Sequence, residues 1–206
     1  MTMRTLYFIR HAESVSNAWG VSLEHHAIPL TEAGQQFART LAQTWSIRPV
    51  HLMVSELIRT HQTAQPLCDH YGMTYQVNPC LNELHILSHE RIAGMTGAQR
   101  RPLAQAYWAS NDVYLRLGQH ADTFDEFRQR VDHFIQELPT LAHQTVIIGH
   151  GIWFGLLVWR LLGFTVHDSD SMKAFRAFQR HLPLSNGICY RLCSYYGQHW
   201  SIHHER

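Results

Sequence analysis

Arg10-His11-Ala12-Glu13, followed closely by Asn17, ends the apolar run Leu6-Tyr7-Phe8-Ile9. Such a run reads as a short buried strand. The charged pair therefore falls at the strand's carboxyl end, where open α/β sheets place their ligands. Histidine can serve as nucleophile or general base near neutral pH, and arginine suits a bidentate grip on phosphate. Two further segments repeat the pattern. Val50-His51-Leu52-Met53-Val54 runs into Ser55-Glu56-Leu57-Ile58-Arg59-Thr60-His61-Gln62-Thr63-Ala64, and Val146-Ile147-Ile148-Gly149 runs into His150-Gly151. If these strands are neighbours in a parallel sheet, Arg10, His11, Arg59 and His150 converge on one pocket. Two arginines and two histidines make a site for a dianionic phosphate.

Within such a pocket His11 is the nucleophile candidate. An imidazole can attack phosphorus in line and carry a phosphohistidine intermediate, splitting one hard step into two. It must be neutral to attack, so its other ring nitrogen should donate to an acceptor such as a backbone carbonyl. Arg10 and Arg59 would clamp the phosphoryl oxygens, over which the transition state spreads its charge. His150 would donate a further hydrogen bond and, when protonated, add positive charge. Asn17 would donate from its amide. Arg59 opens a helix, where the macrodipole disfavours a cation, and that placement hints at an anion.

In combination these segments resemble the histidine phosphatase superfamily, also called phosphoglycerate-mutase-like. The matching residues are Arg10-His11-Ala12-Glu13-Ser14 with Asn17, Pro29-Leu30-Thr31-Glu32-Ala33-Gly34, Ser55 with Arg59-Thr60 and Gln62-Thr63-Ala64, Leu81-Asn82-Glu83-Leu84, Gly149-His150-Gly151 and Ser185-Asn186-Gly187-Ile188. The clearest departure is Ala12, where the family's usual residue is glycine; a positive φ there would strain alanine. The resemblance implies that Glu83 is the acid and base: it would protonate the leaving alkoxide and later take a proton from water. Glu13 reads as structural, with Glu90 and Asp125 as weaker acid candidates. Gly151 joins Arg10, Asn17, Arg59 and His150 in the implied phosphate-binding set.

The implied activity is a metal-independent phosphatase acting on monoesters of small phosphorylated metabolites, with no cofactor. A phosphoglycerate mutase using the same chemistry is the nearest alternative. Mutases of the family resemble longer chains with a larger insertion, and the segment here looks compact, which favours hydrolysis. Arg100-Arg101-Pro102 could still serve a substrate carboxylate. A non-catalytic phospholigand- or protein-binding module on the same fold is the alternative from another class. The full set of Arg10, His11, Arg59, Glu83 and His150 argues against it.

Composition narrows the field further. The chain has 206 residues, is 45% hydrophobic and carries a formal net charge of +1. That suits one domain, 1–206, with a full core, and gives no global field toward nucleic acid or membrane. Cys68, Cys80, Cys189 and Cys193 form no Cys-x-x-Cys pair, and no signal peptide precedes the first apolar run, so free thiols in the cytoplasm are expected. The apolar stretch 152–164 contains Arg160 and is too short to span a bilayer. Among the 17 histidines, the best metal set is Cys189 and Cys193 with His199 and His203, but the gap between the pairs is too short for a usual zinc finger. Gly-x-Ser-x-Gly and Gly-x-x-x-x-Gly-Lys motifs are absent, disfavouring a serine hydrolase or a P-loop site.

Strands and helices must alternate to place these side chains. The sequence predicts strands ending near Arg10, over 50–54, 74–77 and 145–149, and a final pair over 187–193 and 199–203 joined by a turn at Gly197. It predicts helices from a Thr31 N-cap toward Trp45, over 59–71 with a break or kink at Pro66 and a stop at Gly72, over 123–138, 152–162 and 171–180. The expected fold is a three-layer α/β/α sandwich with a mostly parallel central sheet. Between 84 and 117 the rhythm lapses. We read a small helical cap insertion over the sheet's carboxyl edge, with a helix over 98–108, whose His85, His89, Arg91, Tyr107 and Trp108 should help set substrate choice.

Overall fold

The computed structural model of the protein describes residues 3–195 and 199–205. Its sheet contains β1 (Arg4–Arg10), β2 (His51–Val54), β3 (Gln76–Val77), β4 (Thr145–Gly149), β5 (Cys189–Ser194) and β6 (Ser201–Glu205), in spatial order β3-β2-β4-β1-β5-β6. The β3-β2, β2-β4 and β4-β1 pairs are parallel, and β5 runs antiparallel to both β1 and β6. β4 is buried along its whole length, as an interior parallel strand must be. Register does the positioning. Arg10 lies beside Gly149 and Val54 beside Ile148, so the chain leaves β1, β2 and β4 at one level with His11, Ser55 and His150.

Alternation along the strands feeds two cores. Tyr7, Ile9, Leu52, Val54, Val146 and Ile148 pack with α1 (Glu32–Thr44) and α2 (Ile58–Tyr71). Leu6, Phe8, Met53 and Ile147 face α5 (Phe124–Glu137), α6 (Gly151–Leu161) and α7 (Ser169–His181). The three-layer α/β/α reading of the sequence is therefore the observed one. Phe127, Val131, Phe134 and Leu138 lie buried on one face of the α5 region. Thr31 caps α1 by accepting from Gly34 N, and Gly72 ends α2 in the left-handed conformation, φ 63°.

α2 runs to Tyr71 and stops at Gly72 as expected, and Pro66 inside it leaves the helix unbroken. The proline removes one backbone bond, while burial of Ala64, Leu67 and Cys68 against the sheet holds the turns on either side. Several boundaries differ from expectation. The third strand shrinks to Gln76–Val77, the residues beside Met53 and Val54. Asp168 caps α7 through Ser171, so that helix starts before Ser171. The final strands sit about two residues later than predicted. The turn expected at Gly197 lies outside the described residues.

The segment 84–117 carries α3 (His89–Ile92) and α4 (Gly97–Ser110), with a bridge between Leu87 and Leu117 closing its base. Tyr107 and Val113 are buried in the same core as α5 and α6, so this segment is anchored rather than loosely draped. Trp19 in the loop after β1 packs against Gly97, where a Cβ would meet the Trp19 backbone.

Candidate active site

His11 follows β1 and is almost fully buried. Its Nδ1 lies 2.7 Å from the Ala12 carbonyl oxygen. A carbonyl can only accept, so Nδ1 carries the proton and Nε2 keeps its lone pair. The main chain here is pinned from two sides. Ala12 N donates to Thr63 Oγ1 at 3.1 Å, and Asn186 Nδ2 donates to the carbonyls of His11 and Ala12 at 2.9 and 3.3 Å. Among the described non-glycine residues only Trp19, Asn111 and Gln144 have positive φ, so Ala12 stands in the glycine position without strain. Burial, then Arg59 and Arg10, holds the His11 pKa well below the usual histidine range, which keeps the ring neutral.

His150 follows β4, wholly buried, with its ring centroid 5.1 Å from that of His11. Its Nε2 is 2.8 Å from Ser55 Oγ, and its Nδ1 is buried with no protein partner. Burial first, then Arg59 and His11, depresses its pKa well below the ordinary value. The wholly buried ring beside Arg59 therefore resists protonation, and the positive charge expected of it is not carried at neutral pH.

Arg10 donates through Nη1 to the Leu184 carbonyl, while its Nε is buried without a partner. Gly151 makes room for it, since a Cβ there would come within 3.3 Å of that Nε. Arg59 donates through Nη1 to the His25 carbonyl at 3.2 Å. Neither guanidinium is in an ion pair among the described residues. Burial pushes Arg59 down to about 10, against the pull of Glu83, so it remains cationic at neutral pH. A buried Arg59 beside a half-buried Arg10, neither in an ion pair, is costly unless an anion joins them.

Glu83 caps the start of α6. Its Oε1 accepts from Leu84 N at 3.0 Å and Trp153 N at 2.9 Å, and its Oε2 from Ile152 N at 2.9 Å. Burial nevertheless raises its pKa, opposed by backbone donors, Arg59 and Arg10. Asn17 Oδ1 accepts from Ser14 N, Ser14 Oγ and Asn186 Nδ2, which commits the carbonyl end and leaves the NH₂ end to donate.

A cavity of about 500 Å³ is lined by Arg10, His11, Asn17, Arg59, Glu83 and Gly151. His150 stands behind this surface. Sequence reasoning missed several neighbours: Ser55 as the partner of His150, Asn186 as the brace of the His11 loop, and Arg176 and Arg180 of α7, which line the same cavity.

The weaker candidates fall elsewhere. Glu13 Oε1 accepts from Thr31 Oγ1 at 2.8 Å, tying the loop to the α1 cap as a structural residue. Glu90 accepts from Gln119 N, and Asp125 pairs with Arg128 on α5. Arg100 is spent on the carbonyls of Gly20 and Ser16 and the hydroxyls of Ser22 and Ser16, so it braces the cap against the 16–22 loop rather than standing free for a carboxylate. His85 stacks on His25 at 4.2 Å, and both line an adjoining cavity with His89. Tyr107 is core, not pocket. Cys189, Cys193, His199 and His203 do not form a metal-binding group among the described residues; β5-β6 pairing sets Cys189 opposite Glu205 and Cys193 opposite Ser201. Cys80, His133 and Glu137 do bring ligand atoms within 4.8 Å of one another, outside the cavity. All four cysteines are free thiols, and among the described residues no helix is long and apolar enough to cross a membrane.

The family model described as the histidine phosphatase superfamily (branch 1) matches residues 6–184. A probable phosphoglycerate mutase GpmB of Photorhabdus laumondii is 27% identical over 176 residues, covering 83% of this chain and 80% of that protein. The alpha-ribazole phosphatase of Shigella flexneri superposes with a TM-score of 0.71 at 24% identity, over 97% of this chain and 95% of that one. A mycobacterial glucosyl-3-phosphoglycerate phosphatase does so with a TM-score of 0.72 at 21% identity, over 98% and 97%. At these identities the two structures speak for a shared fold.

Proposed function

The chain belongs to branch 1 of the histidine phosphatase superfamily, and from that premise we propose that it hydrolyses phosphate monoesters of small metabolites through a phosphohistidine on His11, without a metal. One observation carries the reading. A neutral imidazole with its Nδ1 proton committed to a carbonyl shares a cavity with two guanidiniums that have no carboxylate partner.

Arg10, Arg59, the Asn17 amide and the backbone around Gly151 receive the phosphoryl oxygens. Ser55 Oγ, 2.8 Å from Nε2, fixes the His150 ring behind them. The lone pair of His11 Nε2 attacks phosphorus in line, and the bond to the leaving oxygen breaks. Protonated Glu83 gives that oxygen its proton. The ring gains positive charge as it is phosphorylated, and the Ala12 carbonyl supports that charge through Nδ1–H. Water then attacks phosphorus, Glu83 takes its proton, and the P–N electrons return to Nε2 as phosphate leaves. Burial, by raising the Glu83 pKa, keeps a proton available at higher pH than an exposed glutamate would.

A mutase would need the same intermediate and a grip on the substrate carboxylate. Of the Arg100-Arg101 pair suited to that grip, Arg100 is occupied by backbone and hydroxyl oxygens, while Arg101 lines a groove beside α7, so the choice between hydrolysis and the mutase rests on the compact cap segment and on the assay below. The free thiols are consistent with the cytoplasmic setting this reading adopts.

A screen of phosphorylated metabolites in excess chelator tests the assignment. Phosphate release that persists in chelator, and is inhibited by vanadate and inorganic phosphate, is expected. Loss on chelation with recovery on adding zinc or magnesium would overturn it. Cycling that depends on a bisphosphate cofactor would point to the mutase.

A further inference from the structure

We propose that a second anion-binding subsite on α7, built from Arg176 and Arg180 with Lys173 and Arg101, adjoins the phosphate pocket, so that the substrate is a monoester whose leaving group bears another negative charge. The proposal rests on reading the His11 cavity as a phosphate site, and it names the class of ester that site takes.

A groove of about 580 Å³ lies between α4 and α7, and Arg101, Lys173, Arg176 and Arg180 line it with no aspartate or glutamate. Arg176 and Arg180 also line the His11 cavity, so the two spaces share a wall. Lys173, Arg176 and Arg180 recur at helical spacing along one face of α7, while Met172 and Phe175 bury the other. Like charges at such spacings oppose helix formation. Arg116, Arg128, Arg130, Arg160 and Arg191 have carboxylate partners, whereas none of the four groove cations does among the described residues, and unlike the unpaired Arg39, Arg48 and Arg100 these four gather on one groove.

Arg176 is also held in place. Its guanidinium carbon stands 4.2 Å over the Trp108 ring, and Nη1 donates to Gln179 Oε1. Burial, then Arg180, pushes its pKa down to about 10, leaving it charged at neutral pH. A positioned, half-buried cation with no ion-pair contact among the described residues and only the more distant pull of Glu83, beside a phosphate pocket, matches an anion brought by the ligand.

Non-hydrolysable ligands separate the arms of the test. Binding of alkylphosphonates is compared by calorimetry with phosphonocarboxylates and bisphosphonates of matched chain length. At least one doubly anionic ligand should bind about 10- to 100-fold tighter than its alkyl counterpart, the range of a charge-assisted hydrogen bond. Whether the carboxylates or the bisphosphonates show it identifies the second group. Arg176→Ala/Arg180→Ala should cut that preference to below about 3-fold, and so should Lys173→Glu/Arg180→Glu, which changes exposed charges only. Equal binding of matched ligands by the wild type, or a preference that survives both double variants, would overturn the subsite. In parallel, kcat/KM is measured for phenyl phosphate and 4-carboxyphenyl phosphate. Turnover of neither ester refutes the hydrolase reading, while the binding series still decides the subsite.

Discussion

Replacing Glu83 with glutamine should slow alkyl phosphates far more than aryl phosphates. The carboxyl accepts three backbone N–H groups, two at Oε1 and one at Oε2. In Glu83→Gln the amide oxygen keeps the two donors at Leu84 and Trp153, and the new NH₂ faces Ile152 N–H. One hydrogen bond is lost and two donors confront each other, a cost of about 1–3 kcal/mol to the fold that is the same whichever ester is bound. The missing proton is not the same for both. An alkoxide must be protonated as it leaves, whereas a good aryl oxide leaves with little help. General acid catalysis is worth about two to four orders of magnitude, roughly 3–5 kcal/mol of barrier. The assay is kcat/KM for an alkyl and an aryl phosphate across pH, because that ratio reads the steps up to departure of the leaving group and is blind to later hydrolysis of the phosphoenzyme. For the alkyl ester the wild-type value should fall as pH rises through the Glu83 pKa, which burial sets above the usual glutamate value, and that limb should vanish in the variant. The aryl ester should instead show a burst of released phenol, as the variant lacks the base for the second step. Equal losses in kcat/KM for both esters would refute the assignment of the acid.

Ser55→Ala removes the partner of His150 Nε2 and should lower kcat/KM for every ester about 10-fold or more, while Ser55→Thr keeps an acceptor and donor and recovers part of it; a Ser55→Ala enzyme with unaltered kcat/KM would dismiss the hydrogen bond as incidental. Acid should destabilise the fold through His11 and His150. Their folded pKa values lie well below the unfolded value near 6.5, so below about pH 6.5 the unfolded chain binds protons that the folded one refuses. Each contributes up to about 1.4 kcal/mol of lost stability per pH unit, read as falling denaturation midpoints between about pH 7 and 5; midpoints flat over that range would contradict the buried neutral pair. Gly34→Ala should lower stability by about 1–3 kcal/mol or more, since a Cβ there collides with the Glu13 carbonyl that joins the His11 loop to α1; an unchanged melting temperature would show that this contact relaxes freely.

Much of the site was legible because its residues sit where apolar runs stop. Leu6-Tyr7-Phe8-Ile9, Leu52-Met53-Val54 and Val146-Ile147-Ile148 need two buried faces, so the first polar residue after each must emerge at the same sheet edge. What those runs could not reveal is who meets whom beyond the edge. The bond between Ser55 and His150 spans 95 residues, and the brace from Asn186 to His11 spans 175. The depressed pKa of His150 comes first from burial, then from Arg59 and His11; the strand pattern brings these residues together but does not show how deeply the ring is enclosed. Arg100 looked available because nothing in its own segment shows the 16–22 loop folding back over it. The basic face of α7 did leave a trace, in cations at 173, 176 and 180 opposite Met172 and Phe175, and helical periodicity read for charge as well as for apolarity would have found it. Pro66 allowed a break or a kink in α2, and the helix continues through it because propensity yields to the packing on either side.

The central claim is that His11 Nε2 becomes phosphorylated. Its most direct test is rapid quenching of the enzyme during turnover of a substrate labelled at phosphorus, followed by mapping of the labelled peptide and assignment of the ring nitrogen by phosphorus NMR. The account predicts an acid-labile, base-stable phosphate on Nε2 of His11, because Nδ1 is held by the Ala12 carbonyl, and no label and no turnover in a folded His11→Ala protein. Label on a serine or aspartate, on Nδ1, or undiminished turnover by His11→Ala would contradict it.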